Sequence, residues 1–201
     1  MGIGEVARPA IFLDRDGVLN ALVLNPATGR MESPLIPEDF RLLPGVIPAL
    51  RRLQACGYAL ILVSNQPNYA LGKSTWLMSG LIHHKLVTEL VGGGVHFARF
   101  CYCLHHPKGV LPGYVGLCPC RKPSPWFLLR ARDDFDLSLA HSWMIGDQAT
   151  DTACGRAAGV RTLRIDLRSG SDAGTQLRIP DPCADAFASD LAEAAEIVLA
   201  R

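Results

Sequence analysis

The sequence predicts a doubly wound α/β fold: a mainly parallel sheet with helices on both faces. Three observations carry this. Short runs of strand character at 9–13, 58–63, 95–102, 142–145 and 160–165 alternate with stretches of helical periodicity. The first run is apolar throughout, as strands buried on both faces are. Three of the runs stop abruptly at polar residues: Asp14 and Asp16 after the first, Ser64 after the second, Asp147 after the fourth. Open α/β sheets place their ligands just past the carboxyl ends of their strands.

Size and composition narrow the class. A chain of 201 residues, 49% of them hydrophobic, is one domain over 1–201 with enough apolar surface for a sizeable core. A net charge of +1 and a pI near 7.6 argue against a nucleic-acid partner held by a broad basic surface. Residues Met1 to Arg8 lack the apolar core of a signal peptide, and no apolar run is long enough to span a bilayer. The expectation is a cytoplasmic monomer with no membrane partner. Seven cysteines in such a chain point to thiols or metal ligands rather than disulfides.

Taken in order, the first strand ends in Asp14-Arg15-Asp16-Gly17. Side chains alternate along a strand, so the two acids share a side only as the strand ends, and Gly17 suits a tight turn there. Two acids so close call for a cation or a shared proton. Residues 20–39, rich in Pro, Gly and Asn, read as a long loop and a candidate flap over the acids. Pro44-Gly45 opens a helix at 46–55 with Val46, Leu50 and Leu53 on one face, and Gly57 follows it. The second strand runs into Ser64-Asn65-Gln66. A helix at 74–91 carries His83 and His84 as surface or half-buried residues and ends in the turn Gly92-Gly93-Gly94.

The third strand leads to a second informative cluster, Cys103-Leu104-His105-His106 and, further on, Cys118-Pro119-Cys120. Three thiolates and an imidazole suit a structural tetrahedral Zn²⁺. The glycine- and proline-rich loop between the pairs has little to pack by itself, and a metal would fix it. Cys101 and His106 are rival ligands, Cys101 lying on the same strand face as Cys103 but further from the loop. Arg121-Lys122-Pro123 follows directly, then a helix at 126–134. The fourth strand ends in Gly146-Asp147, with Asp151 beyond it opening a helix at 151–158. Residues 167–184 read as a loop or flap, and 190–200 as a terminal amphipathic helix. Cys56, Cys154 and Cys183 read as structural.

Asp14-Arg15-Asp16-Gly17-Val18-Leu19 resembles the signature loop of the haloacid dehalogenase-like phosphohydrolases, Asp-x-Asp-Gly-x-Leu, position by position. Ser64, Lys122 and the Asp147/Asp151 pair are similar to that family's remaining motifs, in order. The resemblance implies a Rossmann-like domain without a large cap. It further implies that Asp14 is the nucleophile, Asp16 the general acid and base, and that Ser64 and Lys122 neutralise the phosphoryl group. Mg²⁺ would be held by Asp14, the backbone carbonyl of Asp16, and Asp147, with Asp151 in support. The Cys-x-His and Cys-x-Cys loop followed by Arg-Lys-Pro resembles the capless branch that contains heptose bisphosphate phosphatases and histidinol-phosphatases. That likeness implies Zn²⁺ on Cys103, His105, Cys118 and Cys120, and substrate contacts from Asn20, Asn65 and Arg121. The implied activity is Mg²⁺-dependent hydrolysis of a small phosphorylated sugar through an aspartyl-phosphate, foremost a heptose 1,7-bisphosphate at its 7-position. Histidinol phosphate or another sugar phosphate is the alternative substrate. A non-catalytic zinc-stabilised interaction domain is the alternative of a different class. Gln148, where the heptose enzymes usually carry Lys, and the run Pro67-Asn68-Tyr69-Ala70-Leu71 depart from that branch. Those departures bear on substrate choice and leave the phosphoryl-transfer residues intact.

Overall fold

The computed structural model describes residues 7–26, 28–166 and 180–201. In chain order it contains β1 (Ala10–Leu13), β2 (Val23–Asn25), β3 (Arg30–Glu32), α1 (Val46–Ala55), β4 (Ala59–Asn65), α2 (Trp76–Gly92) and β5 (Arg99–Cys103). It continues with α3 (Trp126–Phe135), β6 (Trp143–Gly146), α4 (Ala149–Ala158), β7 (Arg161–Ile165), β8 (Ala186–Ala188) and α5 (Leu191–Leu199). Six strands form one sheet in the order β5-β4-β1-β6-β7-β8, and every pairing in it is parallel.

The strand order explains the layers. From β1 the chain moves outward through β4 to β5, then crosses back to build β6, β7 and β8 on the other side. Parallel crossovers are right-handed, so reversing the direction of travel sends the helices to the opposite face. The pleat divides the core accordingly. Ile11, Leu13, Leu60, Leu62 and Ile145 pack against α1, α2 and α5. Ala10, Phe12, Ile61, Val63 and Met144 pack against α3 and α4. Each large side chain fully buried this way contributes roughly 1.5–3 kcal/mol. The reversal falls between β1 and β6, where the loops at the strand ends diverge and leave a crevice.

Register brings the polar strand ends to one level. Leu13 pairs with Leu62 on one side and with Ile145 on the other, and Asn65 pairs with Cys103 further out. Asp14, Ser64, Asp147 and the start of the cysteine loop therefore leave the sheet at the same edge. Gly146 is needed here: a Cβ on it would lie 2.2 Å from the Asp151 side chain.

Several expectations change. The stretch 20–39 holds an antiparallel hairpin, β2–β3, and a short 3-10 turn at Pro37–Asp39. The third strand starts at Arg99, not 95, although Val95 is still core. Ser64 and Asn65 belong to β4 itself. A short strand, β8, precedes the last helix, whose N-cap is Asp190 accepting from the Glu193 N–H at 2.9 Å. Most of the expected flap at 167–184 lies outside the described residues. The glycine triplet is more than a loose turn, because a Cβ on Gly93 would meet Ile47 of α1 at 2.6 Å. Cys154 is buried, with Sγ 3.1 Å from the Ser124 carbonyl, whereas Cys56 is exposed and has no packing role. Among the described residues no helix is long and apolar enough to cross a membrane.

Candidate active site

The crevice opens into a cleft of about 360 Å³ lined by Asp14, Asp16, Asp147 and Asp151, with Arg121 and Lys122 beside them. Asp14 sits where β1 ends, its backbone N–H donating to the Ile145 carbonyl at 3.0 Å. That bond is the last rung between β1 and β6, and it fixes the acid at the switch point. Carboxylate oxygens of Asp14, Asp147 and Asp151 all lie within 4.8 Å of one another. Lys122 lies under them, 3% exposed, with Nζ 2.9 Å from Asp14 and 2.6 Å from Asp151. Its third contact is the Val63 carbonyl at 2.7 Å. Burial alone would favour the neutral amine, but the two carboxylates outweigh it and hold the ammonium charged.

Three carboxyl groups against one ammonium leave an excess of acid in a buried place. The strain shows in the acids. Burial, then repulsion from Asp14 and Asp151, pushes the Asp147 carboxyl up to about 7. Burial and Asp14 likewise push Asp151 up to about 6 despite Lys122. Gln148 contributes a neutral donor to Asp147, Nε2 to Oδ2 at 2.9 Å, and no charge. Clustered hard oxygen donors fit a divalent cation such as Mg²⁺, which neutralises them and favours oxygen ligands. The residues that would hold it are Asp14 and Asp147, with Asp151 joining the cluster through its own carboxylate.

Asp16 is built differently. Its carboxylate points away from the cluster and accepts from Arg15 at 2.9, 3.1 and 3.2 Å, from Asn20 at 2.9 Å, from Ser33 at 2.8 Å and from Gln66 at 2.5 Å. Burial would raise its pKa, yet the Arg15 guanidinium and the three neutral donors hold it below the usual carboxylate range. Two adjacent acids thus sit in opposite settings, one against a lysine in an acidic cluster and the other in a cage of donors. Ser64 is 1% exposed and accepts from Gln66 Nε2 at 3.0 Å.

Two residues expected at the substrate do other work. Asn20 is fully buried, does not line the cleft, and spends its amide on Asp16 and the Ala21 carbonyl. Its position inside the turn after β1 takes it out of a ligand's reach. Asn65 lines the cleft, but its side chain pairs with the backbone of Lys122 in both directions, at 3.1 and 3.2 Å. Arg121 does line the cleft, and one guanidinium N–H donates to the His105 carbonyl at 3.1 Å. The Lys122–Pro123 peptide is cis.

The second cluster comes together as the ligand types suggest. Sγ atoms of Cys103, Cys118 and Cys120 are 3.3–3.5 Å apart, and His105 Nδ1 is 3.6 Å from Cys120 and 4.0 Å from Cys103. Those gaps are far too long for a disulfide and close to the ~3.8 Å between thiolates sharing one tetrahedral zinc. Burial, then Cys118 and Cys103, push the Cys120 thiol up; burial pushes Cys103 up as well, while hydrogen bonds from Cys120 and Cys103 hold Cys118 down, and a cation would let all three ionise together. The rivals are elsewhere: Cys101 is in the core of the α3–α4 face, and His106 Nδ1 accepts from the Lys108 N–H at 3.0 Å.

Ser33, Gln66 and Lys73 carry no functional signal in the sequence, yet each touches the site. Gln66 lay in plain view after Asn65, but nothing local says that it will meet Asp16 of another strand. Lys73 lines the cleft and pairs with Glu32 of β3 at 2.9 Å, tying the hairpin to the loop before α2. That ammonium first, then Asn25 and Thr28, hold the Glu32 carboxyl down at about 2.

Comparison with known proteins places this geometry among relatives. A family model described as HAD-hydrolase-like matches residues 119–194. The chain is 38% identical over 165 residues to the D-glycero-beta-D-manno-heptose-1,7-bisphosphate 7-phosphatase of Vibrio cholerae, covering 82% of this chain and 84% of that one. The enzyme of the same name from Escherichia coli K12 is 36% identical over 164 residues, covering 81% and 80%. Among solved structures, the D,D-heptose 1,7-bisphosphate phosphatase of B. bronchiseptica, crystallised with magnesium and phosphate, aligns with a TM-score of 0.72. It is 26% identical, over 96% of this chain and 98% of that one.

Proposed function

The chain belongs to the haloacid dehalogenase-like phosphatases, and on that footing we propose that it removes the 7-phosphoryl group of a D-glycero-D-manno-heptose 1,7-bisphosphate. One observation carries the reading. The carboxylates of Asp14, Asp147 and Asp151 converge over Lys122 at the floor of an open cleft, the arrangement that in-line phosphoryl transfer to a carboxylate requires. The names of the relatives support the heptose.

In this reading Asp14 attacks phosphorus and becomes an aspartyl-phosphate, splitting a hard hydrolysis into two easier steps. Lys122 pairs with Asp14 and faces the charge that builds on the phosphoryl oxygens, where most of the catalysis lies. Ser64, held by Gln66, does not line the cleft of the free protein; its hydroxyl is the donor that this reading brings to those oxygens once substrate is bound. Asp16 gives a proton to the leaving alkoxide, and then takes one from the water that hydrolyses the intermediate. To do so its carboxyl turns from the Arg15 cage toward Asp14, and, freed from the guanidinium that holds it ionised, takes from solvent the proton it then gives. Asp14, Asp147 and the backbone carbonyl of Asp16 would hold Mg²⁺, which would supply positive charge beside the phosphoryl oxygens. Cys103, His105, Cys118 and Cys120 would hold Zn²⁺ in a structural role, since four protein ligands would leave no open position for water. His105, fixed in that way, would steady Arg121 through its carbonyl.

A single-domain monomer is the working unit in this reading. The test is phosphate release with Mg²⁺ from a panel that includes the heptose bisphosphate, its monophosphates and histidinol phosphate. The bisphosphate should give the highest kcat/KM. Faster turnover of histidinol phosphate would overturn the substrate and leave the phosphatase standing.

A further inference from the structure

Among the described residues three cations line the cleft: Lys122, Arg121 and Lys73. Lys122 is committed to Asp14 and Asp151. The other two are available to an anion at the far end of a substrate. Arg121 spends one N–H on a neutral carbonyl and keeps the rest of its fork. Lys73 is bound to Glu32, and the pair is open to water, with side chains 39% and 20% exposed. Exposed ion pairs of this kind are worth little. A phosphate dianion brings more charge and more acceptor oxygens than a carboxylate.

The surroundings make the exchange easy. Glu32 also accepts from Thr28 Oγ1 at 2.9 Å and Asn25 Nδ2 at 3.2 Å, both in its own hairpin, so it keeps partners when Lys73 leaves. The Lys73 backbone is anchored by its N–H to the Asn68 carbonyl at 2.9 Å, while the long side chain is free to swing. Resting on the reading of the site as one for a sugar bisphosphate, we propose that Lys73 is a specificity-determining residue that leaves Glu32 to bind the substrate's second phosphate group. Glu32 is then a built-in competitor: it occupies the ammonium in the free enzyme and repels an incoming anion.

A purely structural role makes the opposite forecast, and the signs separate the two. If Lys73–Glu32 only clips the hairpin, removing either partner loosens the flap and both variants bind substrate worse. If Lys73 binds the anion, the variants diverge. KM is measured for a sugar bisphosphate and for the matching monophosphate, in wild type, Lys73→Ala, Lys73→Arg and Glu32→Gln. The quantity compared is KM of the bisphosphate divided by KM of the monophosphate. Lys73→Ala should raise that ratio about tenfold, the value of one charge-assisted hydrogen bond. Lys73→Arg should largely restore it, and Glu32→Gln should lower it by about twofold to fivefold. A wild type that prefers the bisphosphate while both Lys73→Ala and Glu32→Gln move the ratio upward overturns this inference alone. A wild type with no preference for the bisphosphate overturns the underlying substrate reading and this inference with it.

Discussion

Asn65 and Lys122, 57 residues apart, hold each other by two hydrogen bonds. The Lys122 N–H donates to Asn65 Oδ1 at 3.1 Å, and Asn65 Nδ2 donates to the Lys122 carbonyl at 3.2 Å. An amide side chain thus imitates a strand, joining the end of β4 to the segment that carries the buried ammonium. Asn65→Ala removes both bonds and leaves two backbone groups seeking partners. Misplacing a catalytic group by about 1 Å can cost on the order of 10²-fold. The expected outcome is a fall of tenfold or more in kcat with a small change in Tm. Wild-type turnover in Asn65→Ala would show that Lys122 needs no such clamp.

Cys118→Ser should lose zinc and destabilise the loop that presents Arg121. One zinc per chain is expected in the purified wild type by elemental analysis, and less than one-tenth of that in the variant. Lower Tm and a raised KM for the bisphosphate should accompany the loss, because Arg121 is tied to the carbonyl of a zinc ligand. A zinc-free wild type with full activity and stability would remove the structural role assigned to the metal.

Asp181 gives a prediction about pH. It accepts from Thr152 at 2.8 Å, from the Cys183 N–H at 3.0 Å and from Arg164 at 3.1 Å. Burial would raise its pKa, but these donors hold it below the usual carboxylate range. A carboxylate whose folded pKa is depressed stabilises the fold above its unfolded pKa of about 3.9. That contribution is lost as pH falls through the lower folded value. Asp181→Asn should therefore lower Tm at pH 7, and the gap to wild type should narrow as pH drops below about 4. Melting curves from pH 3 to 7 test it; a constant gap would contradict it.

The parts of the fold and site that were legible in the sequence are those fixed locally. The β1 run followed by Asp14 and Asp16, the cysteine pairs at the two ends of one loop, and Gly146-Asp147 each announce themselves within a few residues. The parts that were not legible depend on what lies beside them. The strand β8 is three residues long and gains its place by pairing with β7. The β2–β3 hairpin exposes Leu24 and Met31 at 59% and 56%, so its apolar residues carry no alternation that marks a strand. Gln66 and Ser33 meet Asp16 across 50 and 17 residues, contacts created by strand order and by the fold of the hairpin. Asn20 illustrates the same limit: the resemblance puts it at the substrate, whereas the turn after β1 buries it against Asp16.

Asp16→Asn should be slow for a different reason from a lost nucleophile. The amide cannot pass a proton to the leaving group, which typically costs a factor of ~10²–10⁴. An ester with a good leaving group needs no such proton in the first step. A pre-steady-state burst of p-nitrophenol from Asp16→Asn should therefore survive while turnover of the sugar phosphate collapses. Equal loss of both would place Asp16 outside proton transfer.

The central claim is that Asp14 takes the phosphoryl group from the 7-position of a heptose bisphosphate. Following the phosphorus resonances of that substrate with Mg²⁺ present tests it most directly, for wild type and for Asp14→Asn. In wild type the 7-phosphoryl signal should be replaced by inorganic phosphate while the anomeric phosphate persists. The correctly folded Asp14→Asn variant should release no phosphate, because its amide is a far poorer nucleophile. Release from the anomeric position, or near wild-type rates in Asp14→Asn, would contradict it.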